Sequence, residues 1–136
     1  MNNITENFRL PRYKEIPDIG LYLEQTVSYI NNMLSIIDIS ITSSMLSNYV
    51  KKGYVTHPVR KKYYPEQISY IIFIVIVKQV LSMENISALF SLQKSTYPLP
   101  VAYDFFAQSL KKPFLKSMKA IRISQHLLSS FLLKKR

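Results

Sequence analysis

The sequence predicts an all-α domain that carries one small two-stranded β-wing. Three observations predict it. Apolar residues recur at helical spacing through most of the chain. The apolar run Pro65 to Leu81 is too long for a typical strand. Between Ile41 and Tyr64, a short amphipathic segment, a glycine and a basic hairpin-like segment follow one another directly. The 136 residues, 48% of them hydrophobic, have the length of one domain with its own core. Residues 1–136 therefore read as a single domain: an arm over 1–17, a central part over 18–92, and C-terminal helices over 101–134.

Residues 1–17 contain Pro11 and Pro17 and read as an extended arm, packed through Phe8, Leu10, Tyr13 and Ile16. Asp18 is the expected cap of a helix from about Ile19 to Ile36. In it, Leu23, Val27, Ile30, Leu34 and Ile37 share one face, and Gln25, Asn31 and Asn32 fall mostly on the others. Thr42 suits the N-cap of a shorter helix, Ser43 to about Lys51. Its inner face is Met45, Leu46, Tyr49 and Val50, which leaves Ser43, Ser44, Ser47, Asn48 and Lys51 outside. Lys51 and Lys52 suit the negative helix end, and Gly53 suits a left-handed C-terminal cap.

Tyr54 and Val55 then read as one short strand, and Lys62 to Tyr64 as its return. His57 and Pro58 make the expected turn, so the wing spans 54–64. Pro65 fits the first turn of a long buried helix, with Glu66 at its positive end. Ser82 caps a helix from Met83 to about Ser91, with Ile86, Leu89 and Phe90 inward. Gln93 to Pro100 reads as a loop. Pro113 divides the remainder into helices near 101–111 and 113–134. In the second of these, Phe114, Met118, Ile121, Leu128 and Leu132 form one stripe, and Lys112, Lys116, Lys119 and Arg122 form another.

The formal net charge of +10 argues for a polyanionic partner. Five cations and no acid lie in the stretch 41–64: Lys51, Lys52, Arg60, Lys61 and Lys62. Eight more follow Asp104, where no acid remains. Those eight fit a solvated helix face, a second grip on nucleic-acid backbone, or a basic amphipathic surface for a membrane or partner. The start MNNITENFRLPRYKE lacks a basic end followed by an apolar core, so no signal peptide is expected. The run Ile68 to Val77 falls short of the roughly 20 apolar residues that cross a bilayer, so no integral membrane segment is expected. With no cysteine, disulfides and thiolate metal sites are excluded.

The segment TSSMLSNYVKKGYVTHPVRKKYYPEQISYIIFIVIVKQVLSMENISALF resembles the DNA-binding half of MerR-type winged helix-turn-helix proteins. Tyr49, Gly53, the run Arg60-Lys61-Lys62, Tyr63 and Ser82 to Ile86 carry the resemblance. The stretches LPRYKEIPDIGLYLEQ, ITSSMLSNYVKKG, HPVRKKYY and VKQVLSMENI are also similar to a bacterial family of unassigned function typified by the Bacillus YkrK protein. That similarity covers Leu10 to Ile86. Two features depart from the MerR pattern: Ser47 and Asn48 stand where an arginine and a second tyrosine are usual, and Tyr64 replaces the usual Ser or Thr cap. The chain also carries a helix before the motif and lacks the long C-terminal coiled coil of those regulators.

Layout and charge together imply a sequence-specific, double-stranded-DNA-binding transcriptional regulator of a bacterial cytoplasm, working as a homodimer. Ser43, Ser44, Ser47 and Asn48 are expected near base edges or phosphates. Lys51, Lys52, His57, Arg60, Lys61 and Lys62 are expected on the backbone, with Tyr49 half core and half phosphate contact. Two alternatives stand beside this reading: a non-catalytic protein-interaction module on a degenerate helix-turn-helix, and a peripheral membrane binder acting through the basic C-terminal helix. Catalysis is not expected. His57 and His126 lack metal-type partners at short spacing, the eight acids are scattered, and two glycines cannot build a phosphate-cradling loop. No cofactor and no metal are implied.

Overall fold

The computed structural model describes residues 8–110. Among these residues five α-helices follow one another: α1 Leu23–Leu34, α2 Ser43–Lys51, α3 Pro65–Val77, α4 Met83–Thr96 and α5 Leu99–Ser109. Single 3-10 turns lie at Tyr13–Glu15 and Ser35–Ile37.

The core is built around α3. Ile68, Ile71, Ile72, Ile74, Val75 and Ile76 are fully buried, so this helix is apolar on every side. Its β-branched residues suit a strand on propensity alone, but its length and all-round burial favour the helix. Pro65 occupies its first turn, where the missing N–H costs no bond. Tyr64 supplies no side-chain cap. Instead Gln67 Oε1 accepts the Tyr64 N–H at 2.9 Å, which satisfies one of the four open donors.

The same tyrosine–glutamine device starts α1, where Gln25 Oε1 accepts the Tyr22 N–H at 2.9 Å. The helix begins at Leu23 and not near Ile19, and Asp18 stays exposed outside it. The cause lies in residues 20–22. Gly20 has φ +88°, and Leu21 exchanges both backbone hydrogen bonds with Tyr63, at 2.9 and 2.7 Å. A segment committed to that pairing cannot also be helical.

That pairing also removes the expected two-stranded wing over 54–64. Among the described residues there is no strand and no sheet, only two isolated bridges, Leu21–Tyr63 and Val59–Lys62. Tyr63 spends its backbone groups on Leu21. Tyr54 and Val55 send their N–H groups back to the Tyr49 carbonyl, at 2.9 and 3.4 Å, as a continuation of the α2 cap. The two limbs meet in one four-residue turn, Val59 to Lys62, closed by reciprocal bonds of 2.9 and 3.0 Å. Its corner is Arg60-Lys61, and His57-Pro58 lies before it.

Ser82 caps α4 by accepting the Asn85 N–H at 3.1 Å. The helix continues to Thr96, beyond the expected end near Ser91, and the loop expected over 93–100 shrinks to Tyr97 and Pro98. Phe90 and Ile86 are buried as expected, but Leu89 is exposed. α5 runs Leu99–Ser109 where a helix over 101–111 was expected. The expected helix over 113–134 and its cations lie outside the described residues. Phe8, Leu10 and Ile16 bury the arm. The arm is clasped to α5 by Tyr13 N–H donating to Asp104 Oδ1 at 2.7 Å and by the Tyr103 hydroxyl donating to Pro11 O at 2.9 Å. Among the described residues, no helix is long and apolar enough to cross a membrane.

Candidate nucleic-acid interface

The start of α2 is set by two side chains. Thr42 Oγ1 accepts the Met45 N–H at 3.1 Å, as expected of an N-cap. Before it, the Asn31 amide holds the Ile41 backbone on both sides: Nδ2 donates to Ile41 O at 2.9 Å, and Oδ1 accepts the Ile41 N–H at 2.8 Å. Ile41 is buried, so Asn31 satisfies peptide groups that water does not reach. The helix then buries Leu46, Tyr49 and Val50, and Ser44, Ser47, Asn48, Lys51 and Lys52 form its exposed row.

Two of the expected site residues have partners inside the protein. Ser43 donates its hydroxyl to Glu24 Oε1 of α1 at 2.6 Å, which places a carboxylate at the N-terminal end of α2. That charge suits the helix dipole and opposes an approaching phosphate. Tyr49 is only 6% exposed, and its hydroxyl accepts from Lys78 Nζ at 3.0 Å. The same ammonium lies 5.7 Å from the centre of the Tyr49 ring. Tyr49 is thus a core residue that anchors Lys78 of the α3 C-cap under α2. Lys78 was not singled out from sequence, although it is the cation that closes the apolar run.

Gly53 has φ +82° and ends α2 in the left-handed cap expected of it. His57 is exposed, and its carbonyl accepts from Gln67 Nε2 at 3.2 Å, which ties the segment to α3. At the corner beyond it, Arg60 and Lys61 are exposed with φ +52° and +68°. Two consecutive positive φ values are the signature of a primed turn, which ordinarily selects Asn-Gly or similar pairs. A left-handed conformation costs a side-chain-bearing residue about 1–2 kcal/mol. Lys62 folds back instead, its Nζ 5.3 Å from the centre of the Tyr22 ring.

The first turn of α1 and the residues before it bring the pieces together. Leu21 pairs with Tyr63, Tyr22 lies beneath Lys62, and Glu24 holds Ser43. The basic turn and the N-terminal end of α2 therefore flank one short segment. Lys51 and Lys52 lie at the opposite end of α2, about 12 Å along its axis. Among the described residues the one ion pair is Arg9–Glu15, so none of the five cations of the stretch is neutralised there. The described residues also contain no group of three acids and histidines able to hold a metal.

A family model described as Domain of unknown function (DUF1836) matches residues 11–106. The chain belongs to the DUF1836 family. No curated protein and no solved structure matches it. The DUF1836 match takes in α1 to α4 and most of α5, and therefore every candidate residue between Ser43 and Lys62. It agrees with membership in an uncharacterised bacterial domain family, as expected from Leu10 to Ile86.

Proposed function

We propose that this DUF1836 chain binds double-stranded DNA as a transcriptional regulator, with α2 as the reading helix of a MerR-like helix-turn-helix. The reading rests on one observation above all. A capped amphipathic helix shows Ser44, Ser47 and Asn48 outward, and the same stretch holds five cations that no described acid pairs. Small hydroxyls and an amide suit base edges and phosphates, and the cations suit the backbone. The turn Val59 to Lys62 takes the place of a wing and presents Arg60 and Lys61 at its corner. A homodimer would double the short site that one reading helix covers.

The test is binding to genomic DNA fragments across a salt series, for the wild type and for Arg60→Ala/Lys61→Ala/Lys62→Ala. The wild type should show a steep fall of log K with log salt. The variant's slope should be flatter by about one unit for each phosphate it no longer neutralises. Unequal affinity among fragments would mark a sequence-specific reader. Absent binding near physiological salt, or a slope the variant leaves unchanged, would overturn the reading and favour a protein-interaction module.

A further inference from the structure

Beside the start of α2, three departures from local preference share one face. Tyr22 is the N-cap of α1, yet its side chain caps nothing, and it is 51% exposed. Ser, Thr, Asp or Asn is strongly preferred at such a position. Arg60 and Lys61 hold positive φ values with side chains attached. Val59, next to them, is 56% exposed. Costs of this kind gathered in one place are characteristic of functional surfaces.

The backbone sets these residues side by side. Leu21 pairs with Tyr63, and Val59 with Lys62, so Tyr22, Lys62 and Val59 fall in one row. Residues opposite one another in such pairs point to the same side. Lys62 is in the middle, its ammonium 5.3 Å from the centre of the Tyr22 ring. Gly20 makes room for it: an added Cβ would lie 2.9 Å from Lys62 Cδ and from the Tyr64 ring. The corner Arg60-Lys61 adjoins the row on one side. On the other, two residues past Tyr22, Glu24 holds Ser43 at the start of α2. Among the described residues no acid is ion-paired with Arg60, Lys61 or Lys62.

We infer that this face is a second contact surface on duplex DNA, laid along the sugar–phosphate backbone beside α2, with Tyr22 as its positioning residue. The inference rests on α2 being the reading helix. The composition of the face names the partner chemistry. An aromatic ring and an apolar side chain suit deoxyribose, and three cations without an acid suit the phosphates between the sugars. Lysine carries its charge on a flexible four-carbon stem, and fixing that stem before binding lowers the entropy lost on contact. The Tyr22 ring and the space above Gly20 supply that fixing for Lys62.

The test is a salt series on the full-length chain with one preferred genomic duplex fragment, for the wild type, Tyr22→Ser, Lys62→Gln and the double variant. Tyr22→Ser puts a capping hydroxyl at the N-cap and keeps Gln25 three residues on, a capping box, so α1 should retain its start. Each single variant should flatten the slope of log K against log salt by about one unit, because each loses the same phosphate contact. The double variant should be no flatter than either single. Partial unfolding would lower K alike at every salt and leave the slope, so the slope separates this role from a structural one. A wild-type slope in Tyr22→Ser, with Lys62→Gln flattened, would overturn the inference and leave the proposed function standing. So would a double variant flatter by about two units, since the two residues would then act separately. A wild type that binds no fragment would overturn the reading helix and this surface together.

Discussion

Arg60 and Lys61 each carry a side chain where the backbone favours glycine or asparagine. Asn at the first position and Gly at the second would close the same turn without the strain. The double substitution Arg60→Asn/Lys61→Gly is therefore expected to stabilise the fold by about 1–2 kcal/mol. In the proposed function it weakens DNA binding at the same time. Chemical denaturation beside a binding titration reads both signs, and a variant that gains stability while keeping full affinity would show that the corner does not touch DNA. Gly20 works by a different constraint. Its φ is +88°, and an added Cβ would lie 2.9 Å from Lys62 Cδ and from the Tyr64 ring. The role of Gly53 was legible in the sequence because a helix cap is a local signal. That of Gly20 was not, because its neighbours lie more than forty residues further along the chain. Asn31 was unreadable because its partner lies across a bend of the chain, where helical spacing does not reach. Helical spacing assigned it to an outer face, and its amide is half-buried against Ile41.

At the scale of elements, α2 was legible at both ends and α3 at its start, though α3 ends at Val77 and the apolar run continues to Leu81 as turns. Thr42, Gly53, Pro65 and the apolar spacing each act within a turn or two of themselves. The wing was not legible, because strand pairing is a choice of partner. Tyr63 has the pattern of a return strand, and it pairs with Leu21, which the sequence places in an unrelated element. The starts of α1 and α3 show how an aromatic N-cap is tolerated: the glutamine three residues on reaches back to the open N–H. The hydrogen bond between α1 and α2 leads to a prediction at this scale. Glu24→Gln keeps an oxygen for the Ser43 hydroxyl and removes the charge beside the first turn of α2. It should cost about 0.3–1 kcal/mol of stability through the helix dipole. Under the proposed function it should also tighten DNA binding at low salt, with the gain fading as salt rises. Weaker binding by Glu24→Gln would place the DNA away from this end of α2.

For the whole molecule, the buried tyrosines set the response to alkali. Burial pushes the Tyr103 hydroxyl well above its ordinary value of 10.0, and desolvation raises Tyr13, Tyr29, Tyr63 and Tyr70 as well. A raised folded-state pKa favours the fold fully while the unfolded tyrosines remain protonated. The advantage is lost as pH climbs past 10, where the unfolded chain releases its protons first. Thermal midpoints should therefore fall steeply above pH 10, and Tyr103→Phe, though less stable at neutral pH by about 1 kcal/mol without its bond to Pro11, should fall less steeply. An unchanged slope in Tyr103→Phe would assign the alkaline transition to other groups. The overall helical class was legible in composition and spacing. The exposure of Val101 and Phe105 on α5 among the described residues was not, because apolar residues at helical spacing read as core.

The clasp between the arm and α5 governs how such a chain comes off a ribosome. Tyr13 waits for Asp104, and Pro11 for Tyr103, across gaps of 91 and 92 residues. At synthesis speeds of about 5–20 residues per second, the arm waits several seconds for these two partners. The first segment is fastened only after translation has passed α5.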